Sequence, residues 1–180
     1  MKINVLLSTP DNKFIINNIY PLYLHDLSEI WENKPNRFGV YEDDDTKTLR
    51  EQNKVFDIWW DKPSVLFPFL ITVDDLPAGL AFVATPPYTP CPPHIQYYLN
   101  EFFLLRPFRG HGVGQEAARQ VFDQFRGHWE LQTAVTERNS RAQTFWRKTL
   151  TAYTKGTHSE AHGTYADGKK VVFRFTNQQG

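Results

Sequence analysis

An apolar run that leads into a glycine-rich turn constrains the fold of this chain more than any other stretch. Residues 97–105 are mostly aromatic or aliphatic, as in a buried strand, and three glycines at alternate positions follow within Arg109–Gly114. Glycine lets the backbone approach a ligand closely and turn its N–H groups towards it. The helical pattern after the turn adds the free N–H groups and the positive dipole end of a helix N-terminus. The stretch therefore predicts a site for phosphate.

Hydrophobic periodicity predicts the elements that follow this turn. Apolar residues recur on one helical face from Gly112 to Phe125, and Gly127 is expected to end that helix. The other predicted elements are a strand over 129–135, a short helix capped by Asn139 and Ser140, and two strands over 153–165 and 171–175.

The chain before the turn predicts helices and a hairpin. Pro21 either interrupts the first helical region or starts a second helix, and Asp45 or Thr46 is expected to cap the next one. The proline-rich segment 86–93 cannot form regular structure, and it either walls a substrate cleft or acts as a spacer. The predicted elements are a strand over 2–7, a helical region over 14–31, a helix through 49–59 and hairpin strands over 65–73 and 79–84.

The length and charge of the chain limit the classes of partner that it is expected to bind. At 180 residues it is expected to form one domain over 1–180, and its twenty basic residues balance its twenty acidic ones. This balance gives no electrostatic reason to expect nucleic acid or an anionic membrane as partner. The single cysteine, Cys91, and a start without a signal-peptide or membrane-spanning pattern favour the cytoplasm. We therefore expect a soluble protein with a small or neutral partner, and a homodimer stays open.

Two motifs in order carry a family resemblance. Arg109-x-x-Gly112-x-Gly114 follows a strand, and Asn139-x-x-Ala142-x-x-Phe145-Trp146-x-Lys148 follows the next helix and strand. This order resembles the GNAT superfamily of acyl-CoA-dependent N-acyltransferases. The resemblance implies an α/β, single-domain GNAT-like fold with a mixed, mostly antiparallel central sheet flanked by helices. It also implies acetyl-CoA as co-substrate, with no metal.

The resemblance places acetyl-CoA between the two motifs. Backbone N–H groups of the glycine turn would bind the pyrophosphate, and strand carbonyls and amides would bind the pantetheine arm. Arg109 would either add charge to the phosphates or cap the turn, while Asn139 would bind the arm, cap its helix, or do both. Phe145 and Trp146 would either cover the thiol end or only belong to the core. The residues expected at acetyl-CoA are Phe103, Leu104, Leu105, Arg109, Gly110, His111, Gly112, Val113, Gly114, Gln115, Asn139, Ala142, Phe145 and Trp146.

Glu101 is the candidate catalytic base. An amine must lose a proton to attack a thioester, because a lysine-type amine has a pKa of about 10.4. Glu101 lies in an apolar strand beside Phe102 and Phe103, where desolvation would raise its pKa towards the useful range. Alternatively, it only holds a cationic substrate. The acceptor is expected to be a primary amine of a small molecule or peptide, attacking directly within a ternary complex.

The chain also departs from the family pattern. Trp146 stands where a tyrosine often protonates the departing thiolate, and an indole N–H is no practical acid. Tyr153 and Tyr98 are weak substitutes, and Leu150-Thr151 replaces the usual Gly-Phe after the motif lysine. These departures support an alternative function, a non-catalytic CoA-binding sensor or ligand-sequestering protein.

Three other sequence patterns are weaker evidence for a binding site. Gly112-x-Gly114-x-x-Ala117 matches a dinucleotide fingerprint, but two helices and a hairpin precede it, whereas that motif follows the first strand of a βαβ unit. His158 and His162 are spaced as a metal pair, without a carboxylate or cysteine at ligand spacing. The acidic cluster 42–45 is more typical of a solvated turn than of a cation site.

Overall fold

Seven strands form one open sheet in a computed structural model that describes residues 1–178. The strands are β1 (Ile3–Leu7), β2 (Leu66–Val73), β3 (Leu76–Ala84), β4 (Tyr97–Leu104), β5 (His128–Ala134), β6 (Ser159–Tyr165) and β7 (Gly168–Thr176). Their order is β1-β2-β3-β4-β5-β7-β6, and within the described range only the β4–β5 pair is parallel. The expected mixed, mostly antiparallel sheet is confirmed.

Helices cover both faces of this sheet. The helices are α1 (Lys13–Trp31), α2 (Leu49–Asn53), α3 (Ile58–Asp61), α4 (Val113–Asp123) and α5 (Ser140–Thr154). Helices α1 and α3 pack on one face, where Ile16, Trp59 and Phe82 share a buried cluster. Helices α4 and α5 pack on the other, around Phe122 and Trp129. None of the helices in the described range is long and apolar enough to cross a membrane.

A bulge in β4 determines which side chains reach the α1 face. The pairing of β3 with β4 runs Val83 to Leu99 and then Phe82 to Glu101, so Asn100 has no partner in the register. Regular alternation would place Tyr98 and Glu101 on opposite faces of the strand. The extra residue shifts the pattern, and both side chains therefore lie on the α1 face.

The parallel strands β4 and β5 separate shortly after they meet. They pair only from Tyr97 to Leu99 on β4 and from Trp129 to Leu131 on β5. Beyond this point the edge of β4 that faces β5, residues 100–104, has no ladder partner among the described residues. A gap with a polar backbone edge therefore opens in the middle of the sheet.

Several predicted boundaries in the N-terminal half are wrong. Helix α1 continues through Pro21, held to the sheet by a buried face that includes Ile16, Ile19 and Tyr20. The next helix is capped by Thr48, not by Asp45 or Thr46, because Thr48 and Glu51 form a reciprocal capping box. It is also not continuous, since a 3-10 turn at Lys54–Phe56 separates α2 from α3.

The boundaries of helices and strands near the C-terminus also differ from the predicted ones. The helix after Asn139 is not short, and it includes Tyr153, so the strand predicted from Tyr153 begins only at Ser159. Left-handed Lys155 ends that helix. Helix α4 ends at Asp123, and Gly127 instead lies where a Cβ would come within 2.3 Å of Gln96 Oε1.

Candidate active site

The gap between β4 and β5 exposes backbone groups of β4. The amide of Leu105 bonds the carbonyl of Ala78 at 2.8 Å, on the β3 side. Because backbone groups alternate in direction along a strand, those of Phe102 and Leu104 face the gap. The Leu105 amide was expected to bind the pantetheine arm, but it is already bonded to β3 and is not available for that contact. Phe103 likewise points its side chain to the α1 face, where it joins the cluster around Phe82.

The glycine turn has the backbone conformation that an anion site needs. Gly110, His111 and Gly112 have φ values of 87°, 50° and 79°, three consecutive left-handed residues. Helix α4 begins at Val113, and no side chain among the described residues caps it at Gly112. The N–H groups of its first turn, which include those of Gly114 and Gln115, therefore face outward without a side-chain cap. Such a terminus suits phosphate.

The two sequence motifs meet at Gly114. A Cβ there would lie 2.9 Å from Phe145 Cε2 and 3.4 Å from Leu104 Cδ1, so only glycine leaves room for the ring. Phe145 in turn stacks on Phe102 at a centroid distance of 6.0 Å. Trp146, 7% exposed, packs edge-on to Phe102 at 5.2 Å. Phe145 therefore supports the turn, and Trp146 belongs to the core beneath it.

Asn139 does not cap α5 through its side chain. The residue is 4% exposed, and its Nδ2 group donates to Thr133 Oγ1 at 2.7 Å and to the Ala134 carbonyl at 2.8 Å. Both amide protons are thus committed to the end of β5. Asn139 occupies the N-cap position of α5 as expected, but its side chain makes no capping hydrogen bond, and only its side-chain oxygen is left to meet a ligand. Ala142 lies one turn further along α5 and is partly buried.

Arg109 is directed at α1. Its Nε donates to the Leu104 carbonyl at 2.8 Å, its Nη2 pairs with Asp26, and its guanidinium lies 5.2 Å from the ring centroid of Phe103. Arg106 pairs with the same Asp26 at 3.0 Å. Arg109 therefore joins the end of β4 to α1 rather than reaching over the glycine turn.

Glu101 lies on the α1 face of β4, where Tyr23 donates a hydrogen bond to its Oε2. Burial raises the pKa of Glu101 from 4.5 to about 7, while the Tyr23 hydrogen bond and the charge of Lys170 oppose part of the rise. Burial also raises the pKa of Tyr23 well above 10.0, so its phenol stays the donor. A carboxyl group with a pKa near neutral is suited to accept a proton from an amine.

Glu130 is the other buried carboxylate on this face. It is fully buried, and it accepts hydrogen bonds from Arg174 Nε and Gln132 Nε2, both at 2.7 Å. Cys91 of the proline-rich segment lies against it, and burial raises the pKa of the Cys91 thiol. The ion pair and the lack of exposure leave Glu130 unsuited to accept a substrate proton. The contact with Cys91 also places the proline-rich segment over this part of the sheet.

Comparison with known proteins decides the family. The model of the acetyltransferase (GNAT) family matches residues 18–151, about three quarters of the chain. The chain belongs to the GNAT acetyltransferase family. The resemblance seen in the two motifs and the GNAT-type enzyme class are thus confirmed. A search of curated proteins found no significant match.

Solved GNAT structures share the whole fold at low sequence identity. An acetyltransferase from Thermus thermophilus has a TM-score of 0.62 at 11% identity, over 98% of this chain and 97% of that one. Aminoglycoside acetyltransferase AAC(6')-Ib in complex with coenzyme A and kanamycin has a TM-score of 0.66 at 14% identity, over 98% and 95%. A ribosomal-protein-S5-alanine acetyltransferase from Vibrio fischeri has 0.63 at 14%, over 98% and 94%.

Tyr98 lies on the α1 face with Glu101, whereas the other sequence candidates, Tyr153 and His158, make contacts elsewhere. The Tyr153 hydroxyl bonds Asp123 at 2.9 Å and Asn177 at 3.1 Å, which excludes it as a substitute acid near Glu101. His158 approaches Thr154 at 3.4 Å. Across residues 1–178 no group of three or more His, Cys, Asp or Glu side chains is arranged to hold a metal ion.

Two residues of the candidate site do not follow from the sequence patterns. Tyr23 and Asp26, three positions apart on α1, contact Glu101 and Arg109, which lie 78 and 83 residues further along the chain. Nothing local in the sequence marks either one. The only available signal was their i, i+3 spacing, which places both side chains on one side of a helix.

Proposed function

We propose that this protein transfers an acetyl group from acetyl-CoA to a primary amine of a small molecule or peptide by direct attack in a ternary complex. The observation that carries the proposal is Glu101, a carboxyl group with a pKa raised to about 7 at the gap between β4 and β5. GNAT membership supplies the reaction class.

The donor is proposed to bind on the α4 and α5 side of β4. The left-handed residues Gly110–Gly112 and the start of α4 offer N–H groups to the pyrophosphate. The pantetheine arm then lies along the open edge of β4, against the outward amide and carbonyl of Phe102 and the amide of Leu104, whose carbonyl already accepts from Arg109 Nε. Phe145 borders this channel through its contact with Gly114.

The acceptor is proposed to enter from the α1 face. Glu101 takes a proton from the amine nitrogen, the lone pair attacks the thioester carbon, and the C–N bond forms as the C–S bond breaks. A base of pKa about 7 is effective because attack makes the nitrogen much more acidic than a free ammonium group of pKa about 10.4. The departing thiolate needs little help, since a thiol pKa is about 8.5.

Charged and aromatic groups also border the acceptor side. Lys170, with its side chain 9% exposed, pairs with Asp167 at 2.7 Å and lies 4.3 Å from the ring centroid of Trp31. Lys170 therefore already occupies the face of the Trp31 ring and neutralises Asp167, so Glu101 is the carboxylate proposed to meet the amine. AAC(6')-Ib structures hold aminoglycosides, and we extend to this chain only the class of amine acceptors.

The test is turnover with a panel of amines that includes polyamines, aminoglycosides and peptides with free N-termini. Wild-type protein should release CoA thiol, and Glu101→Gln should lower kcat about 10²–10⁴-fold while the Kd for CoA stays unchanged. Glu29→Gln, an exposed carboxylate on α1, is the matched control and should behave as wild type. Unchanged acetylation by Glu101→Gln would remove Glu101 as base.

The alternative, a CoA-binding sensor or sequestering protein, predicts a different result. Such a protein would bind CoA and turn over none of the amines. The departures at Trp146 and Leu150-Thr151 are what favour it. A cytoplasmic location, a homodimer and a single domain over 1–180 stay predictions.

A further inference from the structure

Asp26 is the point at which α1 meets the donor turn. Its Oδ1 accepts from Arg106 Nη2 at 3.0 Å, and its Oδ2 accepts from Arg109 Nη2. Its side chain is 20% exposed, more buried than those of Arg106 and Arg109 at 68% and 44%. Partial burial opposes its ionisation, but the hydrogen bonds from Arg109 and Arg106 lower the pKa of Asp26 below its ordinary value.

The turn that follows these arginines is closed by a backbone hydrogen bond from Val113 N–H to the Gly110 carbonyl at 3.2 Å, but its glycines make no close packing contacts. A Cβ built on Gly110 or Gly112 would meet nothing within 4 Å, so no neighbouring element packs closely there. Glycine is also the residue with the most conformational freedom to lose. A turn that must be ordered on binding loses affinity, whereas one held in place beforehand does not. Anchors on either side of the turn therefore determine how well it binds an anion.

Phe145 anchors the helix side of the turn, through Gly114. The strand side is anchored by Arg109, which bonds both the Leu104 carbonyl and Asp26. Arg109 directly precedes Gly110, so its two side-chain hydrogen bonds restrain the chain where it enters the first left-handed residue. Without Asp26, the two arginines lose the partner that α1 provides.

We infer that Asp26 is a positioning residue that holds the glycine turn in its CoA-binding conformation through Arg109 and Arg106. This inference rests on the proposed acetyl-CoA site. Helix α1 then serves both substrates, because Tyr23, one turn before Asp26, holds Glu101. The donor turn and the base are thus fixed to a single rigid element.

Asp26→Asn tests this role, since it keeps the shape of the side chain and removes its charge. The Kd for CoA and the KM for acetyl-CoA should rise about tenfold, as expected for weakened hydrogen bonds to charged groups. At saturating acetyl-CoA, kcat should stay within about twofold, because Glu101 and Tyr23 are untouched. If the ion pair served only stability, Asp26→Asn would lower Tm and leave the KM for acetyl-CoA unchanged.

Two further variants keep the test decisive. Arg109→Lys keeps the charge but loses the two-pronged geometry, so it should raise KM for acetyl-CoA in the same way. Glu29→Gln, on the same helix and exposed, should change neither constant.

The outcomes separate the inference from the proposed function. Wild-type affinity for CoA in both Asp26→Asn and Arg109→Lys would overturn the positioning role alone. Tighter CoA binding by Asp26→Asn would also overturn it, because Asp26 would then withhold the arginines from the phosphates. Wild-type protein that binds no CoA would overturn the proposed function as well.

Discussion

The phenol of Tyr23 donates a hydrogen bond to Glu101, although 78 positions of sequence separate the two residues. Helix α1 brings Tyr23 over the sheet, and the bulge at Asn100 turns Glu101 towards it. The contact opposes the effect of burial on the Glu101 carboxyl group and orients one of its oxygens. It therefore links the fold directly to the pH range in which the proposed base can work.

The first prediction concerns the pH dependence of acetylation. Glu101 must be deprotonated to act as a base, so kcat/KM for the acceptor should fall as pH drops through about 7. The measurement is a kcat/KM profile from about pH 5.5 to about pH 9, with an acceptor whose amine pKa lies well above this range. A profile with no bend at about pH 7, as a glutamate with the ordinary pKa of about 4.3 would give over this range, would contradict the assignment.

Removal of the Tyr23 hydroxyl should shift the acid limb of the kcat/KM profile. The hydrogen bond from Tyr23 lowers the pKa of Glu101, so Tyr23→Phe should raise that pKa and shift the acid limb to higher pH. Tyr20→Phe is the matched control, because its ring lies 5.7 Å from that of Tyr23 on the same helix. The control profile should stay in place, and equal shifts in both variants would argue against a specific contact.

Stability should respond to pH in the opposite sense to activity. Because the pKa of Glu101 is higher in the folded state, its ionisation destabilises the fold as pH rises from about 4.5 to about 7. Glu101→Gln should therefore gain on the order of 3 kcal/mol over wild type at about pH 8 and little at about pH 4.5. Urea unfolding at the two pH values measures this, and a gain independent of pH would exclude the ionisation as cause.

The contact between Gly114 and Phe145 can be tested by a double-mutant cycle. Gly114→Ala places a Cβ 2.9 Å from Phe145 Cε2, and overpacking of this kind costs about 1–3 kcal/mol of unfolding free energy. Phe145→Leu should recover most of that loss in the double variant, which thermal unfolding with measured enthalpies will show.

Gly112→Ala provides the comparison for this cycle. Its Cβ meets nothing within 4 Å, but its φ of 79° is unfavourable for alanine, at a cost of about 1–2 kcal/mol. Phe145→Leu should not recover that loss. Recovery at both positions would mean that Phe145→Leu stabilises the protein generally and that the Gly114 contact is not specific.

The donor turn could be predicted from the sequence because its signal is local. Backbone freedom at Gly110 and Gly112, and the start of a helix at Val113, depend on residues that adjoin one another. The buried strand and Glu101 follow from the same short stretch. The second motif could be recognised at a distance because its spacing reflects one face of α5.

Asn139 occupies the N-cap position predicted for it, but the expected side-chain cap does not form. Local preference favours asparagine at a helix start, but the end of β5 takes both of its amide protons. Competition between a local and a tertiary partner cannot be resolved from one segment alone.

The sequence by itself therefore determined the residue types of the donor turn and the two motifs, because each rests on patterns within a few consecutive turns or strands. The mixed sheet followed from the resemblance of those motifs to the GNAT family. The tertiary structure alone decided that Arg109 pairs with Asp26, that Tyr23 holds Glu101 and that Glu130 is committed to Arg174. These contacts depend on how α1 crosses the sheet and on one unpaired residue in β4. Both arise from packing between segments far apart in the chain, which periodicity and local preference do not encode.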